Sequence, residues 1–385
     1  MKIKEVKIRK ILNSQGLDAL EIELLSNNNI KAISSSPSAI IPGKREVIIY
    51  NNSQNDNIKS LISETCSNPI ENQIELDYIL GRYMKTLGSK VCLPFSLAFA
   101  RIMAKEQNIS LVQYISKISQ IAETRKSPIP LVTIFSGGVH NKKDSIQNIM
   151  IAVDIHPFSE AVPVITKIYT NIENILKEKN LLDGYGASSG MIVERLNIDE
   201  KFRIILNTIK EFGYEKNVSI AIDVAAEHFF DNGLYIYNGK ETSSENLYNI
   251  LSTYIDKYNI TYIEDPFDST DEKYWRMIKQ SYSNIAIVGD DLFATQEAYI
   301  NNMLANGIII KMNQVGTLSQ TINAVLKAKK ENMVTCVSHR SIETEDTFMC
   351  DLAVALNSTY IKIGGPRRGD RISKYNRLLR LEEIN

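Results

Sequence analysis

Apolar and polar positions alternate in "KEVKIRKIL", "LEIELLS" and "IKAISSS", with turn residues between the runs. That is the period of half-buried strands. "NIKSLISETCS", "ENQIELDYILGRYMKTL" and "CLPFSLAFARIMAKEQ" then repeat their apolar residues at helical spacing. The pattern predicts a small α+β unit over residues 1–126, ended by "ETRKSPIP", whose prolines make a joint. Over residues 127–385 the texture changes. "LVTIF" and "NIMIAV" are candidate strands, and "SIAIDVA", "TYIEDPF", "AIVGDDL", "GIIIKMN", "VTCVSH" and "YIKIGG" follow, each with a helical pattern behind it. Short β-rich runs that mostly alternate with helices predict an α/β architecture, a (β/α)8 TIM barrel. A doubly wound open sheet is the competing arrangement, but no GxGxxG follows a first strand.

Ionisable residues fall at one place in each unit. Asp223, Glu264, Asp290, Lys311 and His339 stand at the ends of their strands, and Lys362 interrupts "YIKIGG". In a barrel these carboxyl ends share one mouth, where active sites are built. Taken singly, each could be a helix cap or a loop charge. Lys and His are not capping residues, so the series as a whole is not explained by caps.

Composition narrows the setting. A net charge of -1 gives no reason to expect nucleic acid or an anionic membrane as the main partner. No apolar run reaches the ~20 residues that span a bilayer, and "MKIKEVKIRKIL" mixes charge into its apolar positions, unlike a signal peptide. The cysteines, Cys66, Cys92, Cys336 and Cys350, form no CxxC pair and suit free thiols in a reducing, cytoplasmic compartment.

Asp223, Glu264 and Asp290 come from consecutive strands, and three carboxylates converging on one point repel unless positive charge lies among them. A hard dication such as Mg²⁺ would supply it, since no Cys or His cluster points to zinc. Neutralisation by Lys311 and Lys362 is the alternative. Lys311, close to Mg²⁺ and a second lysine, is expected to have a lowered pKa and to act as a general base. Arg340 beside Ser341 suits a phosphate or carboxylate. Together these residues point to abstraction of a proton α to a carboxylate.

"IAIDVAAEHFF", "YIEDPF", "VGDDLFATQ", "IIIKMNQVGTLSQT", "VSHRSIETEDTFMCDLAV" and "RISKYNRLLRLEE" carry a resemblance. In this order and spacing the chain resembles the enolase family from Arg9 to its C-terminus, most densely after Ser219. The resemblance implies an N-terminal capping domain over residues 1–126 and an enolase-type barrel over 127–385. It implies that Asp223, Glu264 and Asp290 bind magnesium and that Lys311 takes the proton from C2 of 2-phosphoglycerate. It places Lys362 at the substrate carboxylate, Arg340 and Ser341 on the phosphate with His339 in the same loop, and His140 and Gln147 near the substrate. Ser35 matches a serine on a second magnesium. Glu21 and Arg380 match a pair that bridges a homodimer.

"GYGASSG", residues 184–190, looks at first like a glycine-rich phosphate loop. In the resemblance it aligns with "GDEGG", and Ser188 stands where the family has the glutamate that protonates the leaving hydroxyl. "SIQNIMI" replaces "QEFMI", so Asn148 stands at a second glutamate. "ISSSPSAI" replaces the lid "VPSGAST" without its glycine, and Ile342 replaces a glycine after His-Arg-Ser. Three functions therefore follow: an enolase that works without its usual acid, a family member that stops at the enolate of another carboxylate, and a non-catalytic homologue with a binding or structural role.

Overall fold

The computed structural model of the protein describes residues 1–38, 55–124, 126–138 and 145–383. Strands β1 (Ile3–Leu12), β2 (Asp18–Ser26) and β3 (Lys31–Ser35) form an antiparallel meander. Its register is that of alternating strands: Ile22 and Leu24 point into a core, while Arg9 bridges Glu21 at 2.6 Å and Glu23 at 2.7 Å on the outer face. Helices α1 (Asn55–Ser67) and α3 (Ser89–Glu106) pack against this sheet, and α2 (Gln73–Leu87) packs against both helices. Leu61, Leu76, Leu80 and Phe99 join Ile22 and Leu24 in that core. A further helix, α4 (Leu111–Ser119), starts on a Ser110–Gln113 capping box that the sequence reading passed over.

The barrel follows. Its staves are β4 (Ile129–Ser136), β5 (Asn148–Val153) and then β8, β12, β13, β14, β15 and β16, defined below. Helix α5 (Phe158–Glu178), the hairpin β6 (Gly184–Tyr185) and β7 (Met191–Ile192), and helix α6 (Ile198–Glu211) lead to β8 (Val218–Asp223). A small meander, β9 (Phe230–Asp231), β10 (Leu234–Tyr237) and β11 (Lys240–Thr242), and helix α7 (Ser244–Lys257) precede β12 (Ile260–Glu264). Helix α8 (Glu272–Ser281), β13 (Ala286–Gly289), β14 (Gly307–Ile310), the turn α9 (Met312–Val315) and α10 (Leu318–Lys330) continue the rhythm. It ends with β15 (Val334–Ser338), α11 (Phe348–Ala355), β16 (Tyr360–Lys362) and α12 (Gly369–Glu383). Pairing of β16 with β4 closes the barrel.

One strand departs from the predicted (β/α)8 rule. β5 runs antiparallel to both β4 and β8, because the connection from Ser136 to Asn148 is shorter than the dozen or more residues a parallel crossover needs. The reversal has a consequence for the mouth. The first residue of β5, Asn148, rather than its last, lies beside Asp223. Inside the barrel, Leu131, Met150, Tyr262, Val288, Ile309 and Cys336 fill the lumen below the mouth.

The meander is tied to the barrel by an ion pair. Arg101 on α3 makes two contacts with Asp346, at 2.7 and 2.8 Å, and donates to the Ile33 carbonyl at 2.7 Å. Asp346 also accepts from Ser34 Oγ at 2.5 Å and from the Ser35 and Phe348 amides. Burial alone would raise the Asp346 pKa, but Arg101 outweighs it and holds the carboxyl well below the usual range. A depressed carboxyl stabilises above its unfolded pKa, ~3.9, and that stabilisation is lost as pH falls toward the folded value. R101M leaves Asp346 charged and unpaired, which costs about 3 kcal/mol at neutral pH, the low end for a broken buried pair because Arg101 keeps some solvent contact. Urea unfolding midpoints test this. The loss shrinks in R101M/D346N, and a loss under ~0.5 kcal/mol, the usual size for surface changes, contradicts the account.

Candidate active site

The strand ends bring the predicted residues to one mouth. Lys362 Nζ sits 2.8 Å from Asp223 Oδ2 and 2.9 Å from both oxygens of Glu264. Lys311 Nζ pairs with Asp290 Oδ2. Asp223 and Glu264 are partners across β8 and β12. All five side chains are largely withdrawn from solvent. Lysine ammonium groups therefore sit among the carboxylates.

Neighbouring side chains hold these groups in place. Gln147 and Asn148 donate to Asp223 Oδ2 at 3.3 and 3.0 Å. Tyr262 donates to Glu264 Oε2 at 3.1 Å, and Gln314 to Asp290 Oδ1 at 3.3 Å. Thr295 receives the Lys311 amide at 2.9 Å and donates to Gln314 at 2.6 Å, which fixes the end of β14 against the loop after β13.

Two more carboxylates belong to the mouth. Asp265, at a φ of 42°, accepts the amides of Asp290 and Asp291 at 2.8 Å each. Oxygens of Asp265, Asp290 and Asp291 lie within 4.8 Å of one another and form a group that could hold a metal ion. The doubled acids in "IEDPF" and "VGDDL" were the signal for both residues. The negative charge exceeds what the lysines neutralise. Burial, then Asp223, push Glu264 up to about 7 against the pull of Lys362. Burial, then Asp290, push Asp291 up to about 7. Surplus charge on an all-oxygen donor set fits a hard dication.

The expected lowering of the Lys311 pKa does not hold in this arrangement. Burial works against its ammonium, but the Asp290 carboxylate more than offsets that and raises the pKa above the ordinary lysine value.

The anion side is built from the loop after β15. The His339 amide bonds the Lys362 carbonyl at 3.0 Å, and the Arg340 amide donates to Glu343 Oε1 at 2.8 Å. Arg340 is buried, 4% exposed, and contributes to the charge balance of Asp290. The carbonyls of Arg340 and Ser341 both accept from Arg371, which opens the motif "RISKYNRLLRLEE" but was given no role from the sequence. Burial, then Arg371, push His339 well below its usual pKa, so the ring is neutral. Ser35 stands at the end of β3. Its hydroxyl donates to Thr344 Oγ1 at 2.7 Å, and it lines a cavity of about 20 Å³ with Asn313, Arg340 and Glu343. Ser38 and Ile342 exchange backbone hydrogen bonds at 2.9 and 3.1 Å, joining the segment after β3 to the loop after β15. His140 lies outside the described residues.

"GYGASSG" is the loop of the β6–β7 hairpin, which β7 attaches to β4. Backbone bonds Gly186 N to Gly190 O (2.8 Å) and Ser189 N to Gly186 O (2.9 Å) close it tightly. A Cβ on Gly190 would lie 2.4 Å from Ser136 Oγ and 2.6 Å from Thr133 Cγ2, so only glycine lets the loop seat on β4. The Ser188 carbonyl accepts the Gly365 amide at 2.8 Å. Asn148 Oδ1, Ser136 Oγ and Thr133 Oγ1 are buried and have no hydrogen-bond partner among the described residues. Glu173, the nearest carboxylate on α5, serves the outer side of the hairpin through Tyr185, Arg367 and Lys177. Those partners outweigh burial and keep it ionised.

Fold and mouth together define a capped barrel with a lysine–carboxylate centre. A family model for the enolase C-terminal TIM barrel domain matches residues 124–384. The chain is 34% identical to the enolase of Ehrlichia canis over 408 residues, 99% of this chain and 96% of that one. It is 31% identical to the enolase of Sulfurisphaera tokodaii over 401 residues, 99% of this chain and 95% of that one. The chain belongs to the enolase family.

Proposed function

We propose that this enolase-family chain removes the proton α to the carboxylate of a small phosphorylated acid, by resemblance 2-phosphoglycerate, and expels the β-hydroxyl slowly or not at all. One observation carries the reading: neutral Ser188 and Asn148 occupy the positions of the family's acids, while Lys311, Lys362, Asp223, Glu264 and Asp290 converge. A serine hydroxyl does not ionise in the physiological range and an amide has no acidic proton to give. Glu173 is held ionised on the outer side of the hairpin, and His339 is neutral. Residues 127–385 carry this chemistry in the proposal, and residues 1–126 cap it.

The roles are those that the resemblance implies, and the convergence of the charged side chains supports them. Lys311, as the free amine, takes the C2 proton onto Nζ, and the substrate becomes an enediolate. Lys362 lies at the carboxylate ligands with its charge directed at the substrate carboxylate. Arg340 and Ser341 hold the phosphate, and Gln147 contacts the substrate, as by resemblance does His140. Asp223, Glu264 and Asp290 would hold Mg²⁺. When bound, the ion supplies Lewis acidity at the substrate carboxylate and takes up charge that now holds the lysines. Ser35, engaged with Thr344, is assigned to the scaffold rather than to a second magnesium. The unpartnered polar atoms of Thr133, Ser136 and Asn148 favour one further reading, a non-dehydrating reaction on a carboxylate whose neighbouring polar group is retained. A purely structural role gives no reason for two buried lysines to be kept on three buried carboxylates, an arrangement that is costly to desolvate.

Ultraviolet detection of phosphoenolpyruvate tests the reading. The unmodified chain with 2-phosphoglycerate and Mg²⁺ forms it slowly. S188E/N148E raises the rate by ~10²-fold or more, the range of a general acid. D290A removes both the gain and the Mg²⁺ dependence. Rapid dehydration by the unmodified chain, with no gain in the double variant, would show that another group supplies the proton.

The chain is further proposed to be a cytoplasmic homodimer. The cysteines are free, and among the described residues no helix is long and apolar enough to cross a membrane. Arg380 is exposed, and Glu21 is ion-paired to Arg9 within the chain on the outer face of the meander. Light scattering at micromolar concentration gives twice 43.5 kDa if the family's pair bridges two copies. The mass of a single chain contradicts the dimer.

A further inference from the structure

Arg371 on α12 is wholly buried, and its guanidinium spans two loops of the mouth. Nη1 meets His339 Nδ1 and donates to the Arg340 carbonyl at 3.0 Å. Nη2 donates to the carbonyls of Ala187 and Ser341, both at 3.1 Å. Nε lies 3.0 Å from Asp370 Oδ2, which balances the charge. A guanidinium can only donate hydrogen bonds, so the ring nitrogen facing it must accept. The single proton of a neutral imidazole then resides on the other nitrogen, Nε2.

The two loops are neighbours across one residue. A Cβ on Gly364 would lie 2.7 Å from the Ser188 carbonyl and 3.1 Å from His339 Cε1. His339 thus stands beside the hairpin loop that carries Ser188, and Arg371 touches both from beneath.

We propose that Arg371 is a positioning residue that fixes His339 as the Nε2–H tautomer and sets the spacing between the 187–190 loop and the 339–341 loop. His339 then presents a hydrogen-bond donor to an anion in the mouth and carries no second proton to transfer. The inference deepens the reading above and rests on it in one respect, the assignment of His339 to the substrate side. Its consequence is that His339 does not replace the acid missing at positions 188 and 148. The tautomer itself follows from the contacts alone.

Imidazole ¹⁵N–¹H correlation spectra of the full-length chain test the proposal without substrate. The chain has four histidines, and loss of one signal in H339Q assigns the ring. The unmodified protein shows the Nε2–H pattern for His339. R371K, which keeps a donor, retains that pattern, and R371M shows Nδ1–H or a mixture of tautomers. A merely structural role lowers the unfolding temperature of R371M without moving the tautomer. An Nδ1–H ring or an imidazolium in the unmodified protein at neutral pH overturns the proposal, as does an unchanged ring in folded R371M. The unmodified spectrum decides the tautomer even if R371M does not fold. It is also independent of turnover, so slow or fast dehydration leaves this result standing, and an overturned tautomer leaves the dehydration test intact.

Discussion

Buried negative charge at the ends of β8, β12 and β13 is the constraint on which the mouth depends. Asp223, Glu264 and Asp290 are held together by the barrel whether or not they attract one another. Charges this close in a poorly solvated site must be met by cations, by protons or by metal. Lys362 and Lys311 meet part of the demand. Burial, and after it the neighbouring carboxylates, push Glu264 and Asp291 up to about 7. The surrounding donors, Gln147, Asn148, Tyr262 and Gln314, serve the same balance, since each aims an N–H or O–H at a carboxylate oxygen. A fold that keeps this arrangement accepts a desolvation cost for it, and proton abstraction next to a carboxylate is chemistry that uses it.

The opposite side of the mouth is built on different principles. The hairpin loop of residues 186–190 is set by backbone bonds and by the fit of Gly190 on β4, with no carboxylate in it. On the β4 side, Thr133 and Ser136 present hydroxyls to it. Arg371 then ties this loop to the His339–Ser341 loop. The mouth therefore has a charged half, and a half in which the described residues of the 186–190 loop and of β4 beside it offer hydroxyls rather than carboxylates. The asymmetry lies in the residue types, since both halves are equally well anchored.

Much of this was legible in the sequence because it depends on local period and on strand ends. The strands at 218–223, 260–264 and 307–310 are mostly apolar and end on or just before Asp223, Glu264 and Lys311, so the fold and the charged half could be read together. The direction of β5 was not legible from its pattern, since "NIMIAV" looks the same in either direction. Nor was the raised pKa of Lys311, which depends on a partner 21 residues away that only the closed barrel brings into contact. Arg371 is the clearest case. It opens a motif that the sequence singled out, but its contacts, above all the Ala187 carbonyl 184 residues away, arise only in the folded barrel.

The central claim, that the first half of the reaction survives without the second, is tested most directly by isotope exchange. The unmodified protein is incubated with 2-phosphoglycerate and Mg²⁺ in D₂O, and loss of the C2 proton is followed by NMR alongside phosphoenolpyruvate. Proton abstraction by Lys311 followed by return from solvent predicts deuterium at C2 faster than product, and K311A abolishes the exchange. Product formed with no excess exchange into the remaining substrate would contradict the account.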